Sequence, residues 1–189
     1  MEKTQARQEI RRRIDHLTPE QRLAANARIR ALLADLPEFQ QAHTVLLFVS
    51  MPDEVDTLPI LADALAAGKT VALPKVDTRR KVMDARVLRD LDRDLAPGVY
   101  GILEPQGTQI VPPETIDFVL VPARGFDRQG NRLGRGGGYY DRYMSAPGFR
   151  ATRCGIAYSA QLLDTLPHAA HDLPVHLLVT EAGILRFAS

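Results

Sequence analysis

The chain has 189 residues, 45% of them apolar and 25% charged, a balance that describes one globular domain and excludes a disordered or low-complexity chain. Its 24 basic and 23 acidic side chains leave a formal charge of +1, which argues against a nucleic-acid binder, because such chains carry a basic excess. The single cysteine, Cys154, excludes an internal disulfide and a cysteine zinc site, and its setting in Cys154-Gly155-Ile156-Ala157 reads as core.

Residues 3–14 read as a short polar helix. Its opening stretch is basic (Lys3, Arg7, Arg11, Arg12, Arg13) and lacks the apolar run of a signal peptide. Thr18-Pro19-Glu20-Gln21 is a capping-box start with Pro at the first helical position. Leu23, Ala27, Ile29 and Leu33 then give an apolar stripe to about Leu36, with Pro37 as the stop. Thr44–Val49 is a continuous apolar run, expected as a buried strand and far too short for a membrane span. Thr57 is placed to cap a helix to Ala67, with Gly68 ending it. Thr70–Leu73 follows as a strand closed by Pro74, and 82–88 and 99–103 as further short strands. Asp117–Val121 is a second buried strand, closed by Pro122. A long glycine-rich loop runs to Gly138, then a short helix through Tyr143. Arg153–Tyr158 reads as a strand, Ala160–Thr165 as a helical turn, and Leu177–Thr180 and Ile184–Phe187 as late strands. Strands alternating with helices predict an α/β fold: an open, mainly parallel sheet with helices on both faces, in a single domain over 1–189. Ligands in such sheets bind beyond the carboxyl ends of the strands, which points to Ser50–Asp56 and Ala123–Tyr140.

The second of these segments carries the chemistry. Residues 125–142 read GFDRQGNRLGRGGGYYDR, with six glycines among positions 125–138 and Arg128, Arg132 and Arg135 between them. Bare backbone N–H groups form an anion-binding nest, and arginine forks suit phosphate oxygens. No Gly-Lys-Ser/Thr ends the loop, so it is not a Walker A motif, and the glycines differ in placement from G-x-G-x-x-G. A solvated surface loop has the same composition, but Tyr139-Tyr140-Asp141 directly after the glycines favours a packed site, with Asp141 a hard oxygen ligand for a divalent cation. Tyr139 and Tyr140 can stack on a ring or simply pack. Lys3 and Arg7, four apart, share a helix face that either bracketed polyphosphate or solvent would occupy. Glu54 follows the first strand; a loop acid is usually solvated, yet a carboxylate also accepts paired hydrogen bonds from an amide–amidine edge. His168 and His171 lack the further soft ligands of a zinc site.

The string Gly125-Phe126-Asp127-x-x-Gly130-x-Arg132-Leu133-Gly134-x-Gly136-x-Gly138-Tyr139-Tyr140-Asp141 resembles the signature of the 5-formyltetrahydrofolate cyclo-ligase family, the methenyltetrahydrofolate synthetases. Lys3-x-x-x-Arg7, Phe48–Thr57 (FVSMPDEVDT) and His171–Val175 (HDLPV) resemble its other motifs, so the likeness spans nearly the whole chain. Some relatives carry Lys where this chain has Gly137, which makes this loop less basic. The resemblance implies a sheet like that of the sugar-phosphate isomerase and CoA-transferase group. It also implies an ATP-dependent conversion of 5-formyltetrahydrofolate to 5,10-methenyltetrahydrofolate, with release of ADP and phosphate, through a phosphorylated formyl intermediate. Lys3, Arg7, Arg132, Leu133, Gly134, Arg135, Gly136, Gly137, Gly138, Tyr139 and Tyr140 are then expected to contact ATP. Val49, Glu54 and Arg135, Gly136, Gly137, Gly138 and Tyr139 are expected to contact the folate. Arg135, Arg132 and Lys3 would neutralise the moving phosphoryl group, and Asp141 and Asp172 would hold Mg²⁺. The expected setting is a cytoplasmic monomer that uses ATP and a folate, polyglutamylated or not, without nucleic acid or membrane. Two other readings stay open: a folate-binding homologue without turnover, and a phosphosugar isomerase-like enzyme that ignores MgATP.

Overall fold

The computed structural model describes residues 2–98, 101–169 and 171–188. Its centre is a seven-stranded sheet built from β1 (Thr44–Leu46), β2 (Thr70–Asp77), β3 (Val82–Leu88), β6 (Phe118–Leu120), β9 (Thr152–Ile156), β11 (Leu177–Thr180) and β12 (Gly183–Arg186). The order is β12-β11-β9-β6-β1-β2-β3. The five inner strands are parallel, and the edges β3 and β12 are antiparallel. The expected open, mainly parallel α/β sheet is therefore what forms.

Two apolar layers cover it. On one face α2 (Pro19–Ala34), α3 (Pro37–Gln41) and α4 (Leu58–Ala66) pack on Val45, Leu47, Phe118, Leu120 and Val179. On the other, Leu46, Val119, Val121 and Leu178 meet α5 (Tyr139–Met144) and Phe126. Phe126 belongs to a small second sheet of β7 (Gly125–Asp127), β8 (Arg132–Leu133) and β10 (Leu162–Leu163). The helix α1 (Lys3–Asp15) lies outside that sheet, its buried Ala6, Ile10 and Ile14 set against Leu133, Leu163 and Leu166. A hairpin of β4 (Leu95–Pro97) and β5 (Leu103–Pro105), unforeseen from the sequence, flanks the end of β2.

Several expectations shift for physical reasons. In α2 the buried stripe is Ala25, Ile29 and Leu33; Leu23 is 73% exposed and Ala27 is exposed too. Thr18 caps α2 as expected, accepting from the Gln21 N–H at 3.2 Å, but Pro37 opens α3 rather than simply ending a helix. Thr57 stands at the N-terminus of α4, yet its buried hydroxyl donates to the Phe48 carbonyl at 2.6 Å instead of capping. The strand expected to close at Pro74 runs on to Asp77. The alternation that aims the Ala72 carbonyl at Leu47 turns Pro74 the same way, past the end of β1, where a missing N–H costs no ladder bond. The glycine-rich segment is not one loop: Asp127 is fully buried and organises the β7–β8 turn by accepting from the Gln129, Asn131 and Leu166 N–H groups. Ala160–Thr165 holds a 3₁₀ turn at Ser159–Gln161 and then β10. Of the strand expected at 99–103, residues 99 and 100 lie outside the described residues, and β5 begins at Leu103.

Candidate active site

A cleft of about 400 Å³ opens at the carboxyl ends of β1, β2 and β6. Four distant segments supply its polar wall: Lys3 and Arg7 from α1, Glu54 after β1, Arg132 to Asp141 from β8 onward, and His171 with Asp172. Every site residue expected from the sequence lines this cleft, Val49 included.

The sequence builds α1 to bring its cations here. The Glu2 N–H donates to the Gln5 side chain at 3.1 Å, starting the helix. The Ala6, Ile10 and Ile14 stripe docks it, which leaves Lys3 and Arg7 on the cleft side. Lys3 Nζ donates to Asp172 Oδ2 at 3.0 Å, and Arg7 Nε and Nη2 donate to the Gly134 carbonyl at 3.3 and 3.2 Å. The glycine run between Gly134 and Gly138 is exposed or half-buried, with φ of 107° at Gly136 and 64° at Gly138, values that disfavour a side chain. A Cβ on Gly137 would fall 2.6 Å from the Tyr139 ring, whose face carries the Arg142 guanidinium at 5.0 Å.

Arg132 and Arg135 differ sharply. The Arg132 side chain is 5% exposed and pairs with Asp141, whose Oδ1 also accepts from the Leu173 N–H at 3.0 Å. Burial pushes its guanidinium below the ordinary range, while Asp141, Asp172 and Tyr140 push back. Its Nε is buried and has no partner among the described residues; the Tyr140 hydroxyl is buried and unpartnered too. Burial, then the Glu54 charge, raises the Tyr140 phenol far above its usual value, so it stays a donor. Arg135 is half-exposed, and its Nη2 reaches Asp53 Oδ1 at 3.0 Å and Glu54 Oε1 at 2.8 Å. Burial alone would lower its pKa, but the Glu54 and Asp53 carboxylates outweigh that and hold it up. Glu54, only 8% exposed, also accepts the Met51 N–H at 2.8 Å, so its carboxylate is fixed in place.

Asp141 Oδ2 and Asp172 Oδ1 accept no hydrogen bond among the described residues, and both carboxylates edge the cleft beside Arg132. Hard oxygens of this kind, together with phosphate and water, suit Mg²⁺. His171 Nε2 is 3.7 Å from Asp172 Oδ1, whereas His168 turns to the Leu166 carbonyl. Among the described residues no group of three or more His, Cys, Asp or Glu gathers around a metal-sized point.

Of the apolar wall, Phe48 and Met51 lie in the string already singled out after the first strand. Leu73, Pro74, Val76, Ile102, Leu103 and Pro105 complete it, and in sequence they are indistinguishable from strand core. Glu104, also in the wall, holds Lys75 at 2.5 Å. Cys154 is fully buried away from the cleft, its thiol pushed up by burial, in line with the core reading.

The fold and the cleft define an α/β protein with a glycine-lined site of paired cations and carboxylates beyond its strand ends, next to an apolar wall. A family model of the 5-formyltetrahydrofolate cyclo-ligases matches residues 1–181. The Escherichia coli K12 5-formyltetrahydrofolate cyclo-ligase is 30% identical over 178 residues, covering 93% of this chain and 98% of its own. The mouse 5-formyltetrahydrofolate cyclo-ligase is 28% identical over 185 residues, covering 93% and 91%. The solved Aquifex aeolicus 5,10-methenyltetrahydrofolate synthetase superposes with a TM-score of 0.87 at 35% identity, over 100% of this chain and 94% of that one. The chain belongs to the 5-formyltetrahydrofolate cyclo-ligase family.

Proposed function

We propose that the cleft holds MgATP and 5-formyltetrahydrofolate side by side and closes the folate to 5,10-methenyltetrahydrofolate, releasing ADP and phosphate. The observation that carries this is the pair of buried, unpartnered donors, Arg132 Nε and Tyr140 Oη, in a cleft that also presents Lys3, Arg7 and Arg135. Buried donors without partners are costly, and an anionic oxygen satisfies them. The guanidinium and ammonium groups in the same cleft favour phosphate over other anions, and the apolar lining of Leu73, Pro74, Leu103 and Pro105 suits a flat pterin.

The chemical difficulty is that a formamide carbonyl is a weak electrophile with no leaving group. Transfer of the γ-phosphoryl group to the formyl oxygen releases ADP and turns that oxygen into part of a leaving phosphate. N10 of the same folate then attacks the formyl carbon and gives up its proton to the departing phosphate or to solvent, the C–O bond breaks, and phosphate leaves. No protein nucleophile is required; positioning and charge neutralisation do the work. Arg7 and the glycine backbone seat the polyphosphate, Lys3, Arg132 and Arg135 offset charge on the moving group, and Glu54 with Val49 orients the pterin. Mg²⁺ bound at Asp141 and Asp172 would supply further charge neutralisation across the phosphates. The enzyme is proposed to work as a monomer in the cytoplasm, and its balance of 24 basic against 23 acidic side chains argues against a nucleic-acid partner. Among the described residues no helix is long and apolar enough to cross a membrane.

The test is a coupled assay with MgATP and 5-formyltetrahydrofolate. Growth of the methenyltetrahydrofolate absorbance band, dependent on ATP and matched one for one by ADP, is the expected outcome. Folate binding without the band would mean a sequestering homologue, and neither would return the chain to phosphosugar chemistry.

A further inference from the structure

Arg135 stands between Gly134 and Gly136 on a stretch held to its surroundings mainly through the Gly134 and Gly137 carbonyls, by Arg7 and Arg142. A backbone of that composition does not by itself aim a long, flexible side chain, which loses rotamer freedom when it is ordered. The aim comes from the facing loop, where Nη2 alone reaches both Asp53 Oδ1 and Glu54 Oε1. Nε and Nη1 make no hydrogen bond among the described residues.

The two carboxylates are not equivalent. Glu54 lines the cleft and is the group expected to meet the pterin, so a bound folate competes with Arg135 for it. Asp53 does not line that cleft; it lines a smaller depression that shares Arg135 with it and also holds Arg11 and Arg124. Its second oxygen, Oδ2, accepts from Arg124 Nη1 at 2.9 Å. Arg124 is rooted in the small sheet, its N–H donating to the Leu133 carbonyl at 2.8 Å and its carbonyl accepting from the buried Gln161 side chain at 2.9 Å. Alternating charges thus run from a rigid hairpin through Arg124 and Asp53 to Arg135.

We propose that Asp53, anchored by Arg124, is the positioning residue for Arg135: it keeps the guanidinium over the cleft when folate takes Glu54, leaving Nε and Nη1 for phosphoryl oxygens. The assignment rests on the reading of Arg135 as a phosphoryl-facing group. An ordinary half-exposed ion pair would contribute almost nothing, so the test must separate aim from mere structure.

Steady-state kinetics on the full chain with MgATP and 5-formyltetrahydrofolate do so. Asp53→Asn should lower kcat about 10- to 100-fold with the folate KM changed less than about threefold. Placed on Arg135→Ala, it should cost less than about twofold more, because the group it aims is gone. Arg124→Gln leaves Asp53 in place and gives a second probe, expected to reproduce the kcat loss and the same non-additivity. Wild-type kcat in both Asp53→Asn and Arg124→Gln, or a full further loss on Arg135→Ala, overturns this assignment alone. An Arg135→Ala variant with wild-type kinetics overturns both the assignment and the reading it rests on.

Discussion

The pair between Arg132 and Asp141 sits where two demands meet. The guanidinium is 5% exposed, so a partner is needed for folding, while Asp141 is also the carboxylate proposed for Mg²⁺. Removing one partner of a buried pair leaves an uncompensated charge, which typically costs about 3–5 kcal/mol. Asp141→Asn should therefore lower stability by about 3 kcal/mol in urea denaturation and also raise the Mg²⁺ concentration needed for turnover. Asp172 gives the contrast, since its partner Lys3 is 42% exposed. Asp172→Asn should change stability by less than about 1 kcal/mol, yet shift the Mg²⁺ dependence in the same direction. A large stability loss in Asp172→Asn, or no Mg²⁺ effect in either variant, would sink the shared-site reading. At this scale the sequence shows the glycine nest and its arginines because they lie within one contiguous string. It hides the pairing of Arg135 with Glu54, 81 positions away, because nothing in a chain records which charges meet across a fold.

Among the elements, the start of β11 holds a histidine whose protonation would work against the fold. His176 Nδ1 accepts the Arg153 N–H at 3.1 Å, which requires the neutral ring with its proton on Nε2, and the His176 N–H returns a bond to the Arg153 carbonyl at 2.8 Å. Burial, reinforced by the Arg153 charge, holds the imidazole below its ordinary pKa. The folded state thus binds fewer protons than the unfolded state as pH falls through about 6.5, so stability rises with pH across that window. Stability should be full above about pH 7 and decline below about 6.5, before the carboxylates titrate. His176→Asn keeps an acceptor without a titrating ring, and denaturant midpoints measured from pH 5 to 8 should lose that limb; an unchanged profile would assign the decline to other groups. The same strand shows what was legible among elements. Leu177–Thr180 is a short apolar run, a length that suits a strand buried on both faces better than a helix, so length and composition found it. The β7–β8 turn escaped notice because glycine and arginine carry no strand signal, and Asp127, which organises it, looks like any loop acid until it is buried.

At the scale of the whole molecule, the site exists only when distant parts of the chain close on one another. Lys3 and Asp172 stand 169 positions apart, and Arg7 reaches Gly134 across 127. None of these contacts anchors α1; its apolar stripe does, against the outer side of the β7–β8–β10 sheet. The tightest approach is at Gly125, where a Cβ would lie 2.4 Å from Ile10 Cδ1 and 2.8 Å from the Gln161 carbonyl. Ile10 has to shift and take α1 with it, while the Gln161 carbonyl, backbone just before β10, cannot step aside, so Gly125→Ala must displace the helix and strain β7 against β10. Overpacking of this kind costs about 1–3 kcal/mol. Because α1 delivers Lys3 and Arg7, the same displacement should raise the KM for ATP several-fold while the folate KM stays near wild type. Hydrogen exchange should show faster opening of the amides in α1 while those of β1 and β6 keep their protection. A Gly125→Ala protein with a normal ATP KM would mean that α1 is not what presents the cations. A variant that loses affinity for both substrates alike would mean the small sheet, and not the helix alone, has moved.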